Sequence, residues 1–384
     1  DRGESYAFNY KGAEIFSSNN DPKISKLYAN LGLSAYGYYY FYKTGTVVTD
    51  AIFNIGGFID NSLPSQSISP EYISYGLRDD LKNNPILLKE KQYTAYRTDT
   101  LPLVFAGNLS NNLVFNSDDP VYNRYLFLNS LSRTQGNVLT YSPKVAKIKV
   151  TDSELNQEKK KFTVTRTSDK EGSVTFTFDG LKPKETAYVQ FGKDLMGFAD
   201  PLTTYHATQD RNNKPELSIT INKKDVRLQP QVKQLIGVRA NQKGQVQIKW
   251  SLAGNKRILT SEIPRLVNIN STLLRSKVSQ VNNKKQMHLT TFRDNYLSGK
   301  INTTKNENLV TTIPYSRGWK VKVDGKPVKV SRTLNVFIGL NMKPGKHTVV
   351  MRYRTPGLLI GVITSIIGII LLVVFNGYLE KKKY

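Results

Sequence analysis

No cysteine occurs in the chain, which excludes disulfide bridges, thiolate zinc sites and a cysteine nucleophile. Histidine is nearly as scarce. His206, His288 and His347 stand too far apart to share a metal-ligand spacing, and each reads as an ordinary strand or loop side chain. No Gly-rich phosphate loop, nucleophile elbow or His-Glu-x-x-His pattern is present. Carboxylates pair at Asp79-Asp80 and Asp118-Asp119, but adjacent acids project differently, and general acid–base chemistry needs a geometry these pairs do not announce. Asp118-Asp119 reads as a helix N-terminus, and Leu77-Arg78-Asp79-Asp80-Leu81 as a surface turn or short helix. The chain opens with neither Met nor a basic segment followed by an apolar run. A signal peptide is therefore not expected, and the chain reads as a fragment whose natural start lies elsewhere.

Acid is in short supply: 30 Asp and Glu face 55 Lys and Arg, for a net charge of +25. Such a field attracts polyanions, and nucleic acid, teichoic acids and anionic lipid headgroups all fit it. The basic residues are spread along the chain, and many alternate with apolar ones, as in Lys320-Val321-Lys322-Val323. A solvated sheet face explains that pattern equally well.

One stretch lacks charge altogether. From Thr355 to Leu379 there is no Asp, Glu, Lys or Arg, and at about 1.5 Å per residue such a helix crosses a hydrocarbon core of about 30 Å. Pro356 suits its first turn, and Tyr378 sits where an interfacial aromatic belongs. Nothing else in a chain this polar could bury every face of that helix in a soluble core. The short basic tail Glu380-Lys381-Lys382-Lys383-Tyr384 is expected in the cytoplasm, with the long side outside, because large domains translocate largely regardless of charge. That location makes nucleic acid an unexpected partner.

The rest divides by pattern. Residues 1–140 are aromatic-rich and mixed α/β. Asp21-Pro22 predicts a helix to about Leu31, and Asp119-Pro120 another to about Leu131. Residues 141–295 predict a β-sandwich. Val174, Phe176 and Phe178 alternate with polar partners, as do Leu217, Ile219 and Ile221, and Val246, Ile248, Trp250 and Leu252, which is the period of a half-buried antiparallel sheet. Residues 296–354 predict membrane-proximal hairpins that complete a β domain. Trp319, Val321 and Val323 face one way, Asp324-Gly325 turns the chain, Val336–Leu340 forms a further run, and Thr348–Tyr353 is the last strand. Residues 355–379 are the transmembrane helix and 380–384 the tail. The expected fold is thus an α+β N-terminal region, then mainly antiparallel β-sandwich domains of jelly-roll or Ig-like kind, then one C-terminal transmembrane helix.

The run Tyr36-Gly37-Tyr38-Tyr39-Tyr40-Phe41-Tyr42 is the most suggestive feature. Aromatic rings stack on the apolar faces of sugars while phenol hydroxyls reach polar neighbours. A strand or loop packed onto its own domain accounts for the same run. As a glycan-binding set we single out Tyr38, Tyr40 and Tyr42, with Phe16 and Ser17 nearby. No catalytic or metal-binding residue is predicted.

The stretch Ile313-Pro314-Tyr315-Ser316-Arg317-Gly318-Trp319-Lys320-Val321-Lys322-Val323-Asp324-Gly325-Lys326 resembles the end of the YfhO family of bacterial membrane proteins. Lys343-Pro344-Gly345-Lys346-His347-Thr348, then Tyr353-Arg354-Thr355-Pro356-Gly357 and the last helix, continue the likeness. Tyr10-Lys11-Gly12 with Phe16-Ser17-Ser18 looks like the family's loop after its multi-helix membrane core, and Thr100-Leu101-Pro102-Leu103 resembles a further short signature. The resemblance implies a GT-C-type membrane glycosyltransferase. It would take a sugar from an undecaprenyl-phosphate carrier on the outer membrane face and pass it to an envelope polymer such as lipoteichoic acid. The family's catalytic acid is expected in an early loop between membrane helices that this chain lacks, so no catalytic residue carries over. The chain itself is expected to bind or orient glycan without a cofactor. Its expected partners are membrane lipid, an anionic envelope glycopolymer and the upstream membrane core of the same protein. The alternative is a membrane-anchored carbohydrate-binding or adhesion protein with no enzymatic role.

Overall fold

The computed structural model describes residues 15–16, 21–36, 39–42, 44–61, 78–91, 93–108, 115, 118–131, 136–142, 145–192, 217–226, 233–304 and 307–382. Among them the chain is mainly antiparallel β, with a few helices and one long apolar helix at its C-terminal end.

The period-2 runs form strands where expected. Gly172–Phe178 lies between Val246–Leu252 and Lys147–Thr151 in a five-stranded sheet. Its Val174, Phe176 and Phe178 are buried. A four-stranded sheet packs opposite, in the order Leu235–Arg239, Thr186–Gln190, Arg265–Ile269, Leu139–Tyr141. Ala187, Val189, Ile236, Val238 and Leu266 of that sheet share one core with Val174, Ile248 and Trp250. The indole of Trp250 meets Phe162, Phe176 and Phe191 edge-on, with centroids 5.3, 5.6 and 5.8 Å away. Edge-to-face pairs of this kind add about 0.5–1.5 kcal/mol each beyond burial.

A second sandwich follows. One sheet runs in the order His288–Arg293, Tyr296–Thr303, Gly345–Tyr353, Trp319–Val323, Lys326–Val328, and the other is Ser331–Thr333, Phe337–Asn341, Asn308–Pro314, Val104–Gly107. Leu297, Val321, Val349 and Met351 from the first meet Val104, Leu309, Ile338 and Leu340 from the second. Val104–Gly107 comes from far upstream, a pairing no local pattern announces. Asp324 and Gly325 both take positive φ, 51° and 78°, as a two-residue hairpin turn requires. His288 and His347 both lie on strands, and His347 Nδ1 is 2.7 Å from Asp324 Oδ2. His206 lies outside the described residues.

The helices fill the space between the sandwiches. Helix α1 is Pro22–Asn30, capped by Asp21, whose carboxylate accepts from Lys23 N at 2.9 Å. Helix α2 is Val47–Phe53, held by a capping box between Thr46 and Thr49. Helix α3 is Pro120–Leu131, where Asp119 accepts from Val121 N at 2.9 Å. Helix α4 is Ser271–Lys284, capped by Asn270. Both aspartate caps agree with the sequence reading; α2 and α4 were not foreseen. The core around α1–α4 includes Tyr188, Leu235 and Val267 from the first sandwich and Val310 and Phe337 from the second, so this layer fastens the two together.

Helix α5, Leu358–Lys381, is long and apolar enough to cross a membrane; its most apolar window has a mean hydropathy of 3.1, and none of that window is buried in the protein. Pro356 lies ahead of the helix rather than in its first turn. Gly357, at φ 79°, occupies the N-cap, a left-handed position that suits a residue without Cβ.

Candidate functional site

The strand Ile15–Phe16 pairs with Tyr39–Phe41, setting Phe16 opposite Tyr39. Ser17 and Tyr38 lie outside the described residues. Tyr40 is half-buried, with its ring 4.7 Å from that of Tyr28. Tyr42 is a core residue, 6 % exposed. Its hydroxyl donates to Asp50 Oδ1 at 2.9 Å, and its ring meets Phe53 edge-on at 6.0 Å. The backbone thus gathers Phe16 and Tyr40 on one small sheet, while Tyr42 turns inward.

Tyr42 leads to a buried ionic cluster. Arg78 sits between two carboxylates: Nη2 is 2.5 Å from Asp50 Oδ2, and Nε is 3.0 Å from Asp80 Oδ1. Asp80 Oδ2 also accepts from Val47 N at 2.8 Å and from the Tyr188 hydroxyl at 3.3 Å. Arg124 donates to Thr46 Oγ1 at 2.7 Å and to the Leu31 carbonyl. Arg78 alone thus pairs with both aspartates, while Arg124 is taken up by a hydroxyl and a carbonyl. Burial pushes the Asp50 carboxyl up, and the facing Arg78 pulls it part of the way back. Burial raises both the Tyr42 and Tyr188 phenols and draws the Arg124 guanidinium down to about 10. The 77–81 segment expected at the surface is therefore corrected. Asp79–Leu81 is a short 3-10 helix, but Arg78 and Asp80 are buried, because each finds its counter-charge or donor on a distant segment.

Gly237 makes this docking possible. Arg78 bridges to it, and a Cβ there would stand 2.8 Å from Asp80 Oδ1 and 3.0 Å from Asp80 Cγ. Gly237→Ala is expected to cost about 1–3 kcal/mol by overpacking. A fall in the midpoint of denaturant unfolding with an unchanged slope checks it.

The cluster is the floor of a hollow of about 200 Å³, where Val47 and Asp80 meet Asn84, Asp99 and Arg275. The Arg275 Nε is 3.1 Å from Asp99 Oδ2. Sharing Asn83, Thr186, Ile269 and Ser271, an open cleft of about 640 Å³ continues outward. Asn83, Asn137, Thr140, Asn268 and Asn270 line it, together with the oppositely charged Lys182 and Glu185. Side-chain amides both donate and accept, and hydroxyls do the same. Such a lining can match sugar hydroxyls, and Lys182 and Arg275 offer charge to a phosphate. Both Asp80 oxygens are engaged within the protein, by Arg78, Val47 N and the Tyr188 hydroxyl. Among the described residues no group of three or more His, Asp and Glu could hold a metal ion. Four separated segments build the cleft, so no linear motif marked it.

Comparisons with known proteins now bear on the chain. It is 32 % identical over 89 residues to the uncharacterized protein YfhO of Bacillus subtilis (strain 168), a match covering 23 % of this chain and 10 % of that protein. Among solved structures, a conserved protein of unknown function from Pseudomonas aeruginosa PAO1 aligns over 55 % of this chain and 94 % of its own, at 6 % identity and a TM-score of 0.14, too low to carry a likeness of fold. The model of the family described as bacterial membrane protein YfhO matches residues 2–365. With nearly its whole length matched and an apolar helix at its end, the chain belongs to the YfhO family of bacterial membrane proteins.

Proposed function

We propose that this chain is the extracytoplasmic, glycan-handling part of a membrane glycosyltransferase. The whole enzyme would move a sugar from an undecaprenyl-phosphate carrier to an anionic envelope polymer such as lipoteichoic acid. The chain would hold or orient the polymer while an upstream membrane core performs the transfer. The observation that carries this reading is the cleft and the hollow beneath it, where amides and hydroxyls lie beside Lys182 in the one and Arg275 in the other, in a molecule of net charge +25. Helix α5 would tether the chain, its basic end in the cytoplasm.

The test is binding of lipoteichoic acid to the detergent-solubilised chain by titration calorimetry. Lys182→Ala with Arg275→Ala is expected to weaken binding roughly tenfold, about 1.4 kcal/mol, with no change in melting temperature. Unchanged affinity would remove the cleft from the account. A deletion strain separates the two functional readings. Lost glycan decoration supports the transferase; intact decoration with retained binding favours a membrane-anchored carbohydrate-binding or adhesion protein.

A further inference from the structure

The geometry points to a second anionic site: a basic row at the membrane end of the C-terminal sheet that takes the phosphodiester headgroups of anionic phospholipids. It rests on the insertion of α5 and not on the cleft. Four strands contribute one residue each to the row. Arg293 pairs with Tyr296, Tyr296 with Arg352, and Arg352 with Lys320. Directly paired residues of antiparallel strands project to the same face, so three cations and a phenol stand side by side. The next row inward projects the other way: Leu297, Met351 and Val321 are buried in the sandwich core, which places the basic row outward. Arg293, Arg352 and Lys320 are exposed. Among the described residues none of them is held in an ion pair. Asp294, in the turn beside Arg293, is an acid at this end.

Position supplies the partner. Arg352 lies six residues before Leu358, where α5 begins, a reach of at most about 20 Å. The intervening chain is tied down: Tyr353 N donates to the Asn295 carbonyl at 2.8 Å, and Arg354 N to the Gly318 carbonyl at 3.0 Å. The turns at 294–295 and 317–318 therefore share the end of the sheet from which α5 leaves. Trp319 and Tyr353 pair in the adjoining register, with ring centroids 5.4 Å apart and both rings half-buried. Trp and Tyr are the residues that settle at headgroup depth, and lysine and arginine held near an anionic leaflet gain from its surface potential. A soluble polymer would meet the same cations, but nothing would hold it at this depth, whereas α5 brings lipid there permanently.

The test uses the full chain reconstituted in phosphatidylcholine bilayers with spin-labelled lipids. We expect spin-labelled phosphatidylglycerol to be immobilised preferentially over spin-labelled phosphatidylcholine, and the preference to fade in high salt. Arg293→Gln, Lys320→Gln and Arg352→Gln together should lower the preference roughly threefold, with an unchanged melting temperature; the remainder belongs to Lys381 and Lys382 at the other end of α5. Lys182→Ala with Arg275→Ala should leave it unaltered. An unchanged preference in the triple variant overturns the proposal, as does a triple variant that loses lipoteichoic acid binding while keeping its lipid preference. If neither labelled lipid is immobilised, α5 is not inserted and the premise itself has failed.

Discussion

Arg78→Ala is expected to destabilise the chain by about 3–5 kcal/mol, a large share of the 5–15 kcal/mol that holds a typical domain. The guanidinium neutralises Asp50 and Asp80 together, and both carboxylates are buried. Alanine would leave two uncompensated charges, which must then take up protons or draw in water. Either outcome loosens α2 from the four-stranded sheet and removes the floor beneath the cleft. Denaturant unfolding of the detergent-solubilised chain measures the loss. Asp50→Asn is expected to cost less, because Arg78 keeps Asp80 and the Tyr42 hydroxyl keeps an acceptor. A loss below about 1 kcal/mol in Arg78→Ala would mean that the cluster is wet, contrary to its burial.

Ile367→Arg with Ile370→Arg is expected to abolish stable membrane insertion of the 384-residue chain. Both positions lie near the middle of α5 and are exposed, as lipid-facing residues would be. An arginine at the centre of a spanning helix costs about 2.5–3.5 kcal/mol on insertion scales. Two cost roughly 5–7 kcal/mol, more than three decades in the insertion equilibrium. Carbonate extraction of membranes should leave the wild type in the pellet and release the variant. Retention of the variant would show that lipid is not the environment of this helix.

Much of the fold was legible because local chemistry and final position agree. Val174, Phe176 and Phe178 alternate and are buried. Asp21 and Asp119 each stand before a proline and cap a helix. Asp324-Gly325 turns a hairpin because both residues tolerate positive φ. Helix α4 carried a readable signal, since Leu274, Val278 and Val281 follow helical spacing; it was lost in a region that otherwise alternates. Helix α2 had no such signal: it is buried on every side and shows no polar stripe. The cleft and its floor were hidden for a different reason. Arg78 and Asp80 look like surface residues until Asp50, 28 positions upstream of Arg78, and Tyr188, 108 positions beyond Asp80, are brought to them. Tyr42 shows the same limit. A run of tyrosines announces aromatic packing, but which ring turns inward depends on the carboxylate that receives its hydroxyl, Asp50, eight positions on and outside the run.

The central claim is that the cleft faces the envelope while the end of α5 faces the cytoplasm. The chain's lack of cysteine makes this directly measurable with Lys182→Cys and Lys382→Cys as single reporters and a membrane-impermeant maleimide. In intact cells stripped of their wall, Lys182→Cys should label at once and Lys382→Cys only after the membrane is opened. The reverse order would place the cleft on the wrong side of the bilayer and contradict the account.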